Sequence, residues 1–343
     1  MWRKIGIVIL LLACIGGYTG WVYYSGIYDP IVPKDLEEEI LTIPEGTSFK
    51  GLMDLMHSQG QLIDTSDFSW LASKMNYKKD PVRTGRFKLK AGMSNIELIR
   101  HLRAGPQSTV RVVLHNERFL TDIAGKIAPS LALDSAQYAT AFADTALISS
   151  LGYTPENFIS LFIPNSYDFY WSSSPEAFLK RMKKENDKFW SEKKRENKAA
   201  DLGLSKEEVY TLASIIQRET NAPQELPTIA GLYLNRLNRG MLLQADPTVV
   251  FATGNFDLRR VLRKHTKIDS PYNTYRNKGL PPGPISMTTI ASIDGVLNAD
   301  EHDYIFFCAK PDNSGLHAFA KTLKEHNRNA SRFHSWLNKR GIR

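Results

Sequence analysis

The chain has 343 residues, 42% hydrophobic and 23% charged, which excludes a wholly disordered or fibrous protein and leaves room for about two domains. Forty-four Lys and Arg stand against 36 Asp and Glu, so a net charge of +8 favours an anionic partner: nucleic acid, a phospholipid surface or an anionic wall polymer. The two cysteines, Cys14 and Cys308, exclude a disulfide framework and a cysteine-based metal cluster.

Ile5 to Tyr24 is uncharged and long enough to cross a hydrocarbon core at about 1.5 Å per residue. Arg3 and Lys4 precede it, and Asp29 and Asp35 follow it. The positive-inside rule then keeps the N-terminus cytoplasmic and sends the bulk of the chain across the membrane. Trp21, Tyr23 and Tyr24 suit the far interfacial belt. A cleaved signal peptide is the other reading, but the run is long for one and no small-x-small site follows. The expected boundaries are 1–26 for a cytoplasmic tip and transmembrane anchor, and 27–39 for a stalk punctuated by Pro30 and Pro33.

Residues 40–108 are expected to form a small α/β subdomain. Ile40 to Ile43 reads as a strand, and Ser48 as the N-cap of a helix carrying Phe49, Leu52, Leu55 and Met56 at helical spacing. Gly60 ends that helix, and a second covers roughly 66–75. Arg86 to Leu89 reads as a strand, with Gly92 and Ser94 as turn and cap for the helix NIELIRHLRAG. Gly46 matches Gly92, Ser48 matches Ser94 and Leu52 matches Leu98, a weak internal repeat. Strand, Gly turn, helix, helix, strand resembles a LysM-like module, a fold that binds GlcNAc-containing glycans. A packing domain that binds nothing has the same pattern. A third strand, Val110 to Leu114, leads into a helix from Leu120 to Ile127.

Pro175 to Lys198 reads as one charged helix, with Phe178, Met182, Phe189 and Trp190 near one face and lysines and arginines elsewhere. Interleaved acids point to a solvated helix with i,i+4 pairs rather than an anion site. No nucleic-acid reading motif accompanies it, so nucleic acid is not an expected partner.

The chemical centre begins at Ser205. Ser205 and Glu208 form a capping box for the helix VYTLASIIQRET. Val209, Leu212, Ala213 and Ile216 make its buried stripe, and Glu219 falls at the edge of that stripe while Arg218 falls well away from it. A carboxyl aimed partly into apolar surroundings favours its protonated form, as a general acid requires. A partly exposed helix Glu paired with a cation is the plainer account. Unusual strings follow in order: Leu234-Asn235-Arg236-Leu237, Gly240 to Thr248 (GMLLQADPT), Tyr272-Asn273-Thr274-Tyr275, Gly279 to Ile285 (GLPPGPI), Tyr304 to Phe307, His317-Ala318-Phe319 and Glu325-His326-Asn327. Polar strings rich in Gly and Pro make site walls, and their Tyr, Asn and Gln side chains suit sugar hydroxyls and N-acetyl groups.

With these motifs in this order, the chain closely resembles the MltG, or YceG-like, endolytic murein transglycosylases over essentially its whole length. The resemblance implies an α/β (α+β) protein: a single N-terminal transmembrane helix, the LysM-like subdomain and a YceG-like catalytic domain over 109–343. It places the catalytic glutamate at Glu219. It implies cleavage of the β-1,4 bond between MurNAc and GlcNAc to give 1,6-anhydroMurNAc ends, at the extracytoplasmic face of the plasma (inner) membrane. Partners implied are peptidoglycan strands and penicillin-binding-protein synthases. Gln244, Asp246, Asn273, Thr274, Tyr275, His317 and Asn327 are the candidate substrate-binding residues. One departure stands out: family members often carry acids in the segment before the basic helix, where this chain has Ile159 and Asn165.

Most glycosidases use two carboxylates, and Asp246 and Glu225 are the available second acids. A lytic transglycosylase needs no water nucleophile, so Glu219 alone suffices by this reading. His265, His302, His317, His326 and His334 lack the spacing of a metal site, and no G-x-S-x-G string supports a serine nucleophile; neither metal nor cofactor is expected. A non-catalytic, membrane-anchored peptidoglycan-binding scaffold is the alternative function.

Overall fold

The computed structural model describes residues 2–258 and 260–341. They form two compact units. The first comprises the chain up to Val112 with Pro129–Leu133 and Asp168–Ser174; the second comprises Val113–Ala128, Asp134–Tyr167 and the chain from Pro175.

In the first unit, α1 (Trp2–Tyr28) is longer than the uncharged run and is apolar enough to cross a membrane. β1 (Ile40–Ile43), α2 (Phe49–Ser58), α3 (Thr65–Lys74), β2 (Gly85–Lys88) and α4 (Asn95–Ala104) follow. β1 and β2 pair antiparallel, Ile40 opposite Lys88 and Ile43 opposite Gly85. Leu41, Ile43, Phe49, Leu52, Phe68, Phe87 and Leu98 form the core. The internal repeat has a geometric basis: Gly46 and Gly92 take φ of 75° and 74°, a region open to glycine, and each precedes a serine N-cap.

Residues 27–39 depart from the expected stalk. Ile31 and Val32 are buried in this core, and their N–H groups donate to Met93 O at 2.8 and 3.1 Å. The last turn of α1 is held as well: Asn95 Nδ2 donates to Gly26 O at 2.9 Å, and the Tyr23 and Trp70 rings lie 5.3 Å apart. Two apolar residues between the prolines are drawn inward because the helix end and the Gly92 turn offer them an apolar slot. The boundary after 108 shifts too. The first unit runs on to Val112, within β3 (Thr109–Leu114), and Pro129–Leu133 and Asp168–Ser174 return to it, joined to each other by Ala132 N–H to Trp171 O at 2.9 Å.

The second unit contains α5 (Leu120–Ile127), α6 (Ser135–Phe142), α7 (Thr145–Ser150), α8 (Pro175–Ser191), α9 (Arg195–Asp201) and α10 (Lys206–Glu219), while β4 (Asn165–Tyr170), which pairs with β3, is divided between the units after Tyr167. Then come α11 (Leu226–Asn238), α12 (Asp246–Thr253), α13 (Ile290–Leu297), the antiparallel hairpin β5 (Phe306–Ala309) and β6 (His317–Ala320), and α14 (Leu323–Lys339). The expected single charged helix is broken between α8 and α9, where Lys193 and Lys194 take φ of 53° and 56°. The break turns Arg195 inward, where its guanidinium donates to Asp294 at 2.7 Å and to Phe189 O at 2.9 Å.

α10 is the axis of this unit. Its capping box forms, with Ser205 N–H donating to Glu208 Oε2 at 2.8 Å and Glu208 N–H to Ser205 Oγ at 3.1 Å. Burial extends beyond the expected stripe: every residue from Val209 to Ile216 is buried, against α11 and α13. Its polar members are satisfied, as buried polar groups must be. Tyr210 Oη donates to Phe162 O at 2.8 Å, and Ser214 Oγ accepts Ile285 N–H at 3.1 Å.

Candidate active site

Glu219 is the last residue of α10, where the helix dipole already disfavours added negative charge. Its side chain is half-buried and lies at the junction of two lobes of one cleft. Tyr233, one face of α11, donates its hydroxyl to Glu219 Oε1 at 2.7 Å. Burial pushes the Glu219 carboxyl from 4.5 to about 7; the Tyr233 hydrogen bond lowers it, and the charge of Asp246 raises it. Near neutral pH this carboxyl therefore exists in both forms, and it can both give and take a proton.

The first lobe, about 420 Å³, is lined by Tyr233, Arg236, Gln244, Asp246, Tyr275, Phe306, Phe307, His326 and Asn327 with Glu219. Hydroxyl, amide and aromatic groups predominate, a surface suited to a sugar ring. Burial and the Arg236 charge hold the His326 imidazole below its ordinary value, so it is neutral at pH 7 and can accept or donate. The second lobe, about 380 Å³, also contains Glu219 and Asp246 but is walled by Arg118, Arg218, Arg260, Val250, Phe251 and Phe256.

The motif strings hold these walls in place. Arg236 donates from Nε to Ile305 O and from Nη1 to Leu243 O, both at 2.7 Å, and so ties the β5 hairpin and the GMLLQADPT loop to α11. Asn235 Nδ2 donates to His302 O at 2.6 Å and Tyr304 O at 3.1 Å. Gln244 takes φ of 51°, a left-handed conformation rare outside glycine, pinned by its N–H to Thr274 O at 3.1 Å. Gly283 admits no side chain, because a Cβ there would lie 1.9 Å from Glu156 O.

Of the candidates read from sequence, Glu219, Gln244, Asp246, Tyr275 and Asn327 meet in the cleft. Tyr275 donates to Asp246 Oδ1 at 2.6 Å. Asn273 and Thr274 do not face it: both are buried. Asn273 Nδ2 donates to Thr266 O and Ile268 O, and Thr274 Oγ1 accepts Ala245 N–H, so they support the loop from beneath instead of contacting a ligand. His317 lies behind the cleft wall. Its Nδ1 pairs with Glu225 Oε2 at 2.8 Å, and its ring meets Phe307 edge-on. Glu225 is thereby spent on His317, whose backbone N–H it also accepts. Among the described residues no cluster of three or more His, Cys, Asp or Glu forms a metal-ligand set. Sequence reading missed Tyr233 and the three arginines. Tyr233 immediately precedes the Leu234-Asn235-Arg236-Leu237 string, and nothing in its spacing points at Glu219.

Residues 41–332 match the YceG-like family. Over 95% of its length the chain is 29% identical to the endolytic murein transglycosylase of Bacillus subtilis (strain 168), covering 92% of that protein. It is 27% identical to an endolytic murein transglycosylase of Streptococcus pneumoniae (strain D39), covering 64% of it. A crystal structure of a yceG-like protein from Listeria monocytogenes is similar, with a TM-score of 0.53 and 28% identity over 84% of this chain and 97% of that one.

Proposed function

This chain belongs to the YceG-like family, and we propose from that premise that it is a membrane-anchored endolytic murein transglycosylase. The observation that carries the reading is Glu219: a carboxyl at the junction of two cleft lobes, held near pH 7 and hydrogen-bonded by Tyr233. Protonated Glu219 gives its proton to the glycosidic oxygen between MurNAc and GlcNAc. The carboxylate left behind, supported by the Tyr233 hydroxyl, takes the proton of the MurNAc C6 hydroxyl as that oxygen attacks C1 of the same sugar. The product is a 1,6-anhydroMurNAc end. Because the nucleophile belongs to the substrate, much of the entropic barrier is absent. Asp246 and Tyr275 are positioned to stabilise the oxocarbenium-like transition state.

α1 serves as the anchor in this proposal, with the N-terminus cytoplasmic and the rest of the chain on the extracytoplasmic side of the plasma membrane. The first unit, with its strand-helix-helix-strand order, is proposed as a LysM-like module that holds the glycan, and the second as the catalytic domain. Termination of nascent strands beside penicillin-binding-protein synthases fits an anchored endolytic enzyme.

The test is digestion of murein sacculi in ¹⁸O-water by the wild type and by Glu219→Gln. Anhydro-ended, unlabelled fragments from the wild type and a loss of at least about 10²-fold in the variant are expected. Labelled reducing ends would mean hydrolysis, with Asp246 as the second carboxylate, and undiminished cleavage by the variant would remove Glu219 from the chemistry.

A further inference from the structure

We propose that the arginine-walled lobe of the cleft is a subsite for a carboxylate carried on the MurNAc branch of the glycan, so that the enzyme reads the substituent beside the bond it cleaves. The inference rests on the murein reading above and adds to it what the second lobe recognises.

Three chain segments far apart in sequence bring Arg118, Arg218 and Arg260 to one wall. Arg118 is held there, its guanidinium carbon 3.9 Å from the Phe256 ring centroid, and Phe256 packs edge-on against Phe119 at 5.5 Å. None of the three is within 4.0 Å of a carboxylate of another described residue. The acids at this lobe are Glu219 and Asp246, and Asp246 already accepts the Tyr275 hydroxyl. Burial and the neighbouring Arg118 charge both hold the Arg218 guanidinium below its ordinary value. Like charges gathered with no carboxylate at ion-pair distance are unfavourable until an anion arrives, and guanidinium groups pair with carboxylates through two parallel hydrogen bonds.

The two lobes differ as the two parts of the polymer differ. Murein sugars carry hydroxyl and N-acetyl groups and no charge, which suits the amide and hydroxyl lining on the Gln244 side. The negative groups of the polymer are carboxylates on the lactyl-peptide branch of MurNAc. Val250, Phe251 and Val261 beside the arginines offer apolar surface to the alkyl parts of such a branch.

The experiment uses three preparations of the same strands: with stem peptides intact, with peptides removed to leave the lactyl carboxylate, and with that carboxylate converted to a neutral amide. Cleavage by the full chain and by Arg118→Met and Arg218→Met is measured on each, and binding of each to Glu219→Gln protein is measured in parallel. The arginine variants are expected to lose about tenfold or more in kcat/KM on charged strands relative to their loss on neutral strands. Loss on stem-bearing strands alone assigns the stem carboxylates, loss on peptide-free strands alone assigns the lactyl carboxylate, which is an amide while the stem is attached, and loss on both assigns a carboxylate at either position of the branch. An equal loss on all three, or none on charged strands, overturns the proposal. Arg218 lies outside the buried run of α10 from Val209 to Ile216, so its truncation leaves the core intact; Arg218→Lys, expected to restore part of the loss, controls for folding. If the wild type cleaves no strand at all, the murein reading fails, and the binding measurement still decides whether the lobe prefers charged strands.

Discussion

Burial places the Glu219 titration near neutral pH, so both activity and stability depend on pH there. Between pH 4.5 and about 7 the folded chain keeps a proton on Glu219 that the unfolded chain has released, so the wild type loses stability as pH rises through that window. The full effect, reached above pH 7, is roughly 3 kcal/mol. Glu219→Gln carries no such group and can still accept the Tyr233 hydroxyl. Urea unfolding at pH 4 and pH 8 is therefore expected to show the variant gaining on the wild type at the higher pH; parallel curves at both would place Glu219 in an ordinary solvated state. Tyr233→Phe tests the other half of the pair. It removes the hydrogen bond that lowers the Glu219 value, so the alkaline limb of the cleavage profile should move to higher pH while the maximum rate falls. At this scale the motif strings pointed to Glu219, Gln244, Asp246 and Tyr275, which line the cleft, because the segments around a cleft display their side chains in short runs. Asn273 and Thr274 looked like ligands for the same reason. A loop without regular structure must satisfy its backbone with side chains, and they are the ones so used.

Elements built on local rules were legible: the Ser205 capping box, the Ser48 and Ser94 caps, and the helix Leu120–Ile127 appear where spacing put them. Elements set by distant partners were not. The break between α8 and α9 serves an ion pair between Arg195 and Asp294, 99 positions apart, and nothing in a run of alternating charges marks one arginine as buried. The GLPPGPI string has a similar hidden cause. Gly283 is required because the Glu156 carbonyl occupies the space of a side chain, and the string then delivers Ile285 to Ser214 of α10. Gly283→Ala must shift backbone, at a cost of about 1–3 kcal/mol or more. A lowered melting temperature with cleavage reduced beyond the loss of folded protein is expected, and an unperturbed variant would show that this loop has slack.

The whole chain divides at a place that composition could not show, since two short segments of the later sequence return to the first unit. That arrangement decides where the chain can be cut. A protein beginning at Ser25 keeps the Gly26 carbonyl, Ile31 and Val32; one beginning at Ile40 loses two buried side chains worth roughly 1.5–3 kcal/mol each. Both lack the apolar span, yet the shorter is expected to unfold at distinctly lower urea, and coincident midpoints would return 27–39 to the status of a stalk. With α1 spanning a bilayer as proposed, the clamp between its last turn and Asn95 has a mechanical meaning. Helices longer than the local hydrocarbon thickness tilt to fit it. A hinge after the span would dissipate that tilt, whereas a helix whose end is built into a folded core must pass it on. Bilayer thickness would then reach the first unit as an angle, and a change of lipid would re-aim the surface it presents to the wall.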